Sequence, residues 1–200
     1  MTEEKRMEYS SLRDEIQKKI DLHNKLITFT ITTAVAIIAF VYNQKNPYML
    51  LMPLFVILPL SSRVAYYRNS ISKMAAYLIV FYEEDIEDLC WETRNFNIVT
   101  SNRNTTISKL ANFVIMHYYD CIAITIACYS LFIYRFFAQK AENMSVFTIV
   151  KGLIIPLMAI VYELYITIRI NKSDTAKLKW IKTWENEKKK ERITVENSTE

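Results

Sequence analysis

Four long apolar runs, separated by charged segments, constrain this chain more than any other feature of its sequence. The first is LITFTITTAVAIIAFVY, Leu26 to Tyr42, and the second is YMLLMPLFVILPLSS, Tyr48 to Ser62. The third starts near Leu110 and reaches Tyr134 or Ala138, and the fourth is VFTIVKGLIIPLMAIVYELYITI, Val146 to Ile168. A helix crosses the hydrocarbon core of a bilayer with about 20 apolar residues. The four Thr of the first run can bond back to their own helix carbonyls, so they do not forbid a span. Pro53 and Pro59 would kink the second, which a membrane helix tolerates. NQKNP, residues 43–47, supplies a tight turn between the two runs, which then pair as a helical hairpin. The single glycine, Gly152, and only four prolines leave few sites for turns, so long helices with few connections are expected. Arg135 and Lys151 lie near the same end of their runs and can snorkel outward, and Tyr and Phe gather at the run ends as an interfacial belt. The expected fold is an all-α integral membrane protein with four transmembrane helices in two hairpins.

Charge sets the expected orientation. Residues 1–25, 63–109 and 169–200 carry 21 of the 25 Lys and Arg, leaving Lys45, Arg135, Lys140 and Lys151 for the other side. By the positive-inside rule both termini are then cytoplasmic, and the outer loops are too short for an external domain. MTEEKRMEYSSLRDEIQKKIDLHNK is too long and too acidic for a signal-peptide n-region, so the first run is expected to stay as an anchor. The three cysteines, Cys90, Cys121 and Cys128, have no framework spacing and suit a reducing compartment. Cys121 and Cys128, seven apart, share a helix face and point to packing. The expected organisation is a cytoplasmic amphipathic helix over 1–25 and a hairpin over 26–62. A cytoplasmic acidic helical loop follows over 63–109, then a second hairpin over 110–168 and a basic tail over 169–200.

The loop contains FYEEDIEDLCWETRNF, in which six of the ten residues Glu83 to Glu92 are acidic. Upstream, Ile71, Met74, Ala75, Leu78, Ile79, Tyr82 and Ile86 recur at helical intervals, which extends the second helix to about Leu89. The chain then passes through the Asn- and Thr-rich RNFNIVTSNRNTTIS, with Ser108 or Thr106 placed to cap the third span. In the N-terminal segment Leu12, Ile16, Ile20, Leu22 and Leu26 make an amphipathic helix that runs into the first span. The tail TAKLKWIKTWENEKKKER is basic and carries Trp180 and Trp184 four residues apart. It suits a helix on anionic lipid. It equally suits a helix docked on the protein, its lysines facing Glu83, Glu84, Asp85, Glu87, Asp88, Trp91 and Glu92. A third alternative leaves those acids as a solvated face that keeps the loop off the anionic leaflet. As a cation site they lack the Gly-containing calcium-loop spacing. A net charge of +4 with topologically explained positives argues against a nucleic-acid partner.

Three ionisable residues fall inside expected spans: His117, Asp120 and Glu163. His117 and Asp120 are three apart and share a face. Glu163 lies on the antiparallel fourth span, so the three are able to meet in the inner half of the membrane. Charge there costs several kcal/mol unless it pairs or meets water. The alternatives are a polar pore lining or proton-sensitive site, interhelical pairing (Asp120 with His117, Glu163 with Arg63 or Arg169), and a later start of the third span that leaves His117 and Asp120 at the interface. No Gly-rich phosphate loop, Cys/His metal cluster or nucleophile–base constellation is present, so no enzyme activity, cofactor or metal is expected.

The segments YSSLRDEIQKKIDLHNKLITF, the hairpin through Ile57 to Leu60, and ISKMAAYLIVFYEED…CWETRN give roughly the first half of the chain a layout. It resembles small bacterial multi-span membrane proteins of the SLATT-like kind, which are often thought to be membrane effectors of anti-phage or nucleotide-signalling defence. The third and fourth runs depart from a two-span layout, and no functional residue is carried over. The resemblance implies a bacterial inner-membrane protein, assembled as a homo-oligomer, that perturbs the membrane or forms a pore on a cue from a soluble cytoplasmic partner or signal. Two alternatives accompany it: a non-conducting membrane sensor or scaffold that recruits a soluble partner, and a small proton-coupled transporter using Glu163 or Asp120.

Overall fold

The computed structural model describes residues 2–44, 46–84, 90–101, 120–140, 146–171 and 173–198. All regular elements among them are helical. In chain order they are α1 (Glu3–Val41), a 3₁₀ turn (Pro47–Leu51), α2 (Leu54–Leu78) continuing as a π-helical turn (Ile79–Glu83), α3 (Trp91–Ser101), α4 (Asp120–Lys140), α5 (Val146–Asn171) and α6 (Ser173–Ser198). Among the described residues four helical stretches are long and apolar enough to cross a membrane: α1, the succession of helical segments from Pro47 to Glu83, α4 over Cys121–Ala138, and α5 over Gly152–Arg169.

The amphipathic segment and first apolar run form one helix of 39 residues. Glu3 and Glu4 in its first turn face the positive end of the helix dipole. The Thr hydroxyls turn back onto the helix as expected, Thr28 to the Asn24 carbonyl at 3.1 Å, Thr30 to Leu26 at 2.7 Å and Thr32 to Thr28 at 2.9 Å. After the turn, Asn46 Oδ1 accepts from the Tyr48 amide at 3.1 Å and Pro47 opens the 3₁₀ turn. The second run is therefore not one helix from Tyr48. Pro53 has no N–H for the Met49 carbonyl, which takes the Met52 amide at 3.0 Å instead, and α2 starts only at Leu54. Pro59 alone lies inside α2.

The expected extension of this helix is described as far as a π-helical turn, where the Glu84 amide reaches back five residues to the Ile79 carbonyl at 3.1 Å. Residues 85–89 lie outside the described residues. The first eight residues of the expected Asn- and Thr-rich passage, 94–101, belong to a helix, α3, over Trp91–Ser101. The Ser108 and Thr106 caps and the first ten residues of the third run also fall outside the described residues, and α4 is described from Asp120.

The chain forms two compact units. One comprises the described parts of Met1–Leu22, Tyr67–His117 and Asn171–Glu200, and the other those of His23–Tyr66 and Tyr118–Ile170. In the first unit Ile16, Leu78 and Tyr82 are buried together, with Tyr9, Leu12, Ile20 and Phe81 packed around them. The periodicity of α1 and α2 brings these residues to one face each. α6 lays Trp184 on the same aromatic patch, edge-on to Tyr77 at 5.2 Å between centroids and to Phe81 at 6.2 Å.

The second unit is a stack of apolar layers. Val64 and Ile166 pack with Leu26, Ile27 and Ala65. Ala34, Leu54, Ile57, Cys121 and Ala159 form another layer, and Val41, Leu50, Phe132 and Phe136 a third. Cys121 and Cys128 are buried here and form no disulfide, in keeping with the packing role their spacing suggested. Phe29, Phe40, Phe55, Leu157, Met158 and Val161 remain exposed.

Candidate functional site

The first unit contains a charged node built on the acidic stretch. Glu83 ends the π-helical turn, and both its carboxylate oxygens cap α3. Oε1 accepts from the Glu92 amide at 2.7 Å, while Oε2 accepts from the Thr93 amide at 2.8 Å and the Thr93 hydroxyl at 2.6 Å. A negative group on free N–H donors at a helix start is favourable by both hydrogen bonding and dipole. This remote cap explains why a segment rich in Asn and Thr is helical despite modest propensities.

Glu92, one residue into α3 and nearly buried, meets two cations. Arg13 of α1 donates to Oε1 at 2.6 Å, and Lys177 of α6 donates to Oε2 at 3.1 Å. Lys177 also stands 5.3 Å from the Phe96 ring centre. Further along α6, Lys188 Nζ donates to the Val80 carbonyl at 2.6 Å and to Glu84 Oε2 at 3.2 Å. The π-helical turn is the reason for the first of these bonds. The Glu84 amide that an α-helix would give to Val80 goes to Ile79, so the Val80 carbonyl needs another donor. Between the two lysines, Trp180 Nε1 donates to Asn69 Oδ1 at 3.1 Å and Trp184 Nε1 to the Lys73 carbonyl at 3.1 Å. The Lys73 ammonium lies 5.2 Å and 5.4 Å from those two ring centres.

The tail is thus docked on the chain itself, with Glu84 and Glu92 receiving its lysines and Trp180 and Trp184 anchoring it. Trp91 begins α3 and is exposed. Asp85, Glu87 and Asp88 lie outside the described residues. Among the described residues no group of three or more His, Cys, Asp or Glu is placed to hold a metal ion. Arg13, Lys177 and Lys188 were not singled out by sequence. Each is one base among many on an amphipathic helix, and nothing local marks which of them meets an acid.

The second unit contains the buried carboxyl. Glu163 on α5 is fully enclosed, and its partner is neither Arg63 nor Arg169. Ser61 Oγ on α2 lies 2.6 Å from Glu163 Oε1, and the same hydroxyl lies 3.0 Å from the Leu58 carbonyl. Glu163 Oε2 has no hydrogen-bond partner among the described residues. Arg63 instead lies over the Tyr66 ring, 4.9 Å from its centre. Asp120 is the first residue of α4, and His117 lies outside the described residues. Ser61 was missed because an apolar run ending in two serines reads as a span boundary. Comparison of the chain with family models, curated proteins and solved structures gives no match.

Proposed function

We propose that the protein is an oligomeric effector of the bacterial inner membrane, serving a defence or signalling system, with both termini in the cytoplasm. Its four apolar helices perturb the membrane or form a pore across copies of the chain. The helical unit built from the chain's ends and the acidic segment receives the cue from a soluble partner or signal. One observation favours this reading over a recruiting scaffold. In the segments that a scaffold would present to a partner, acids and bases pair with one another within the chain among the described residues, Lys177 with Glu92 and Lys188 with Glu84. A contact of that kind serves as a latch that a cue can open. Support for the membrane part is the four long apolar helices and their exposed apolar residues.

The test is inducible expression in bacterial cells while membrane potential and propidium uptake are followed. The wild type is compared with Glu92→Lys, Asp120→Asn and Glu163→Gln at matched levels in the membrane fraction. Depolarisation that is strengthened by Glu92→Lys, which breaks the latch, is the expected result. An intact potential in every variant would remove the effector reading and leave the scaffold.

A further inference from the structure

We propose that Glu163 and Ser61 form an intramembrane proton site, in which Glu163 holds a proton on Oε1 and donates it to Ser61 Oγ. The inference stands on the second unit alone and holds whether or not the protein permeabilises membranes.

Helix register places the pair. The layer of Leu26, Ile27, Val64, Ala65 and Ile166 lies on one side, and the layer of Ala34, Ile57, Cys121 and Ala159 on the other. One helical turn from each, at 5.4 Å pitch, come Thr30 on α1, Ser61 on α2 and Glu163 on α5. All three are completely or almost completely buried. The Thr30 hydroxyl is already given to the Leu26 carbonyl at 2.7 Å. The layer is therefore a thin polar plane between two apolar ones, with a single carboxyl group in it among the described residues.

The hydrogen bonds decide which protonation state fits that plane. Ser61 has one hydroxyl proton and two acceptors in reach, Glu163 Oε1 at 2.6 Å and the Leu58 carbonyl at 3.0 Å. With Glu163 ionised, Ser61 must donate to it, and Oε2 carries charge with no donor among the described residues. With Glu163 neutral, its own O–H donates to Ser61 Oγ, and Ser61 donates to the Leu58 carbonyl. Both protons are then used, and the leftover Oε2 is an uncharged carbonyl oxygen. An unsatisfied neutral oxygen costs far less than an unsatisfied charge in apolar surroundings. Two residues supplying three oxygens also fall short of the six or more that a hard metal cation takes.

Within about two turns of this plane, the other titratable or charged groups on the described packed helices are His23 and Lys25 on α1, Arg63, Tyr66, Tyr67 and Arg68 on α2, Asp120 and Cys121 on α4, and Tyr162, Tyr165 and Arg169 on α5. His23 stands seven residues before Thr30, about 10 Å along the helix. Arg63 is engaged with Tyr66. Ser61 is the hydrogen-bond partner that Glu163 has among the described residues. Losing the proton creates a charge that this plane cannot solvate. Release is therefore coupled to opening of the layer to water, and uptake to its closure.

The experiment is infrared difference spectroscopy of the full-length protein in lipid nanodiscs at neutral pH. A protonated buried carboxyl gives a C=O stretch separate from carboxylate bands. The expected result is a band present in the wild type and in Asp120→Asn and lost in Glu163→Gln. In Ser61→Ala the band moves to higher wavenumber, because the O–H loses its acceptor. A wild type without the band, or a band unchanged by Glu163→Gln or by Ser61→Ala, overturns the proposal. Should Glu163→Gln fail to fold by circular dichroism, the Ser61→Ala shift carries the test alone.

Discussion

Gly152 shows how much one missing methyl group can matter. A Cβ built there would come within 3.1 Å of Phe136 Cζ and 3.5 Å of the Tyr48 hydroxyl. Phe136 is completely buried against Phe132 and Tyr48, so the ring has no room to yield. The glycine is kept for close approach of α4 and α5, against a cost of about 1 kcal/mol in helix propensity. Gly152→Ala regains that propensity while pressing on the ring, so its melting temperature in detergent should stay near that of the wild type. Gly152→Leu adds atoms that cannot be placed and should lose about 1–3 kcal/mol. A leucine variant as stable as the wild type would show that the ring moves after all. Glu83 makes the complementary case, a side chain used for its charge. Its removal leaves two α3 amides and the Thr93 hydroxyl without their acceptor. Glu83→Ala should cost about 1–2 kcal/mol, and amide exchange at Glu92 and Thr93 should rise sharply. Glu83→Gln should keep part of the protection, since its carbonyl oxygen still accepts. Unchanged exchange in both variants would mean that α3 does not need this cap.

At the scale of elements, what could be read from the sequence follows from how local the cause is. The four apolar runs depend on composition alone, and among the described residues a long apolar helical stretch lies in each of them. The start of α2 depends on which carbonyl Pro53 leaves unpaired, and α3 on a carboxylate nine residues upstream of the amide it caps. Neither is visible in the periodicity of the segment itself. The π-helical turn is similar, because its Val80 carbonyl is completed by Lys188 from 108 residues away. Glu163 was legible as an ionisable residue in an apolar run, but Ser61 as its partner was not, since pairing is a property of two helices. The Glu92 node joins three elements, α1, α3 and α6, and carries the heaviest consequence. Glu92→Leu removes the acceptor of both Arg13 and Lys177, whose ammonium side chain is 12% exposed. An uncompensated, partly buried cation of this kind costs about 3 kcal/mol. The expected outcome is release of α6, seen as protease cleavage after its lysines. Persistent resistance to trypsin in Glu92→Leu would show that Trp180 and Trp184 hold the helix without the ion pair.

Across the whole molecule the two units are held by different forces, and salt should separate them. The first unit joins α6 to the rest through Lys177–Glu92, Lys188–Glu84 and the tryptophan contacts. The second is cemented by apolar layers, with Ser61–Glu163 as its buried polar bond between helices. Raising ionic strength from about 0.1 M to 1 M shortens the Debye length from about 10 Å to about 3 Å. The Lys188–Glu84 pair, whose carboxylate is 46% exposed, should be screened first, because solvent ions reach it. The Lys177–Glu92 pair, whose side chains are 12% and 10% exposed, should resist longer. Apolar layers are not weakened by screening and are strengthened by excluded salts. Hydrogen exchange in detergent at rising sodium chloride should therefore speed up in α6, beginning at its C-terminal half around Lys188. Exchange in α4 and α5 should stay unchanged. Sodium sulfate at equal ionic strength should give a smaller effect in α6, since it screens the pairs while favouring burial of Trp180 and Trp184. If α6 exchanges at the same rate at every salt concentration, its docking is aromatic rather than ionic. The latch that a cue could open by charge would then lose its physical basis.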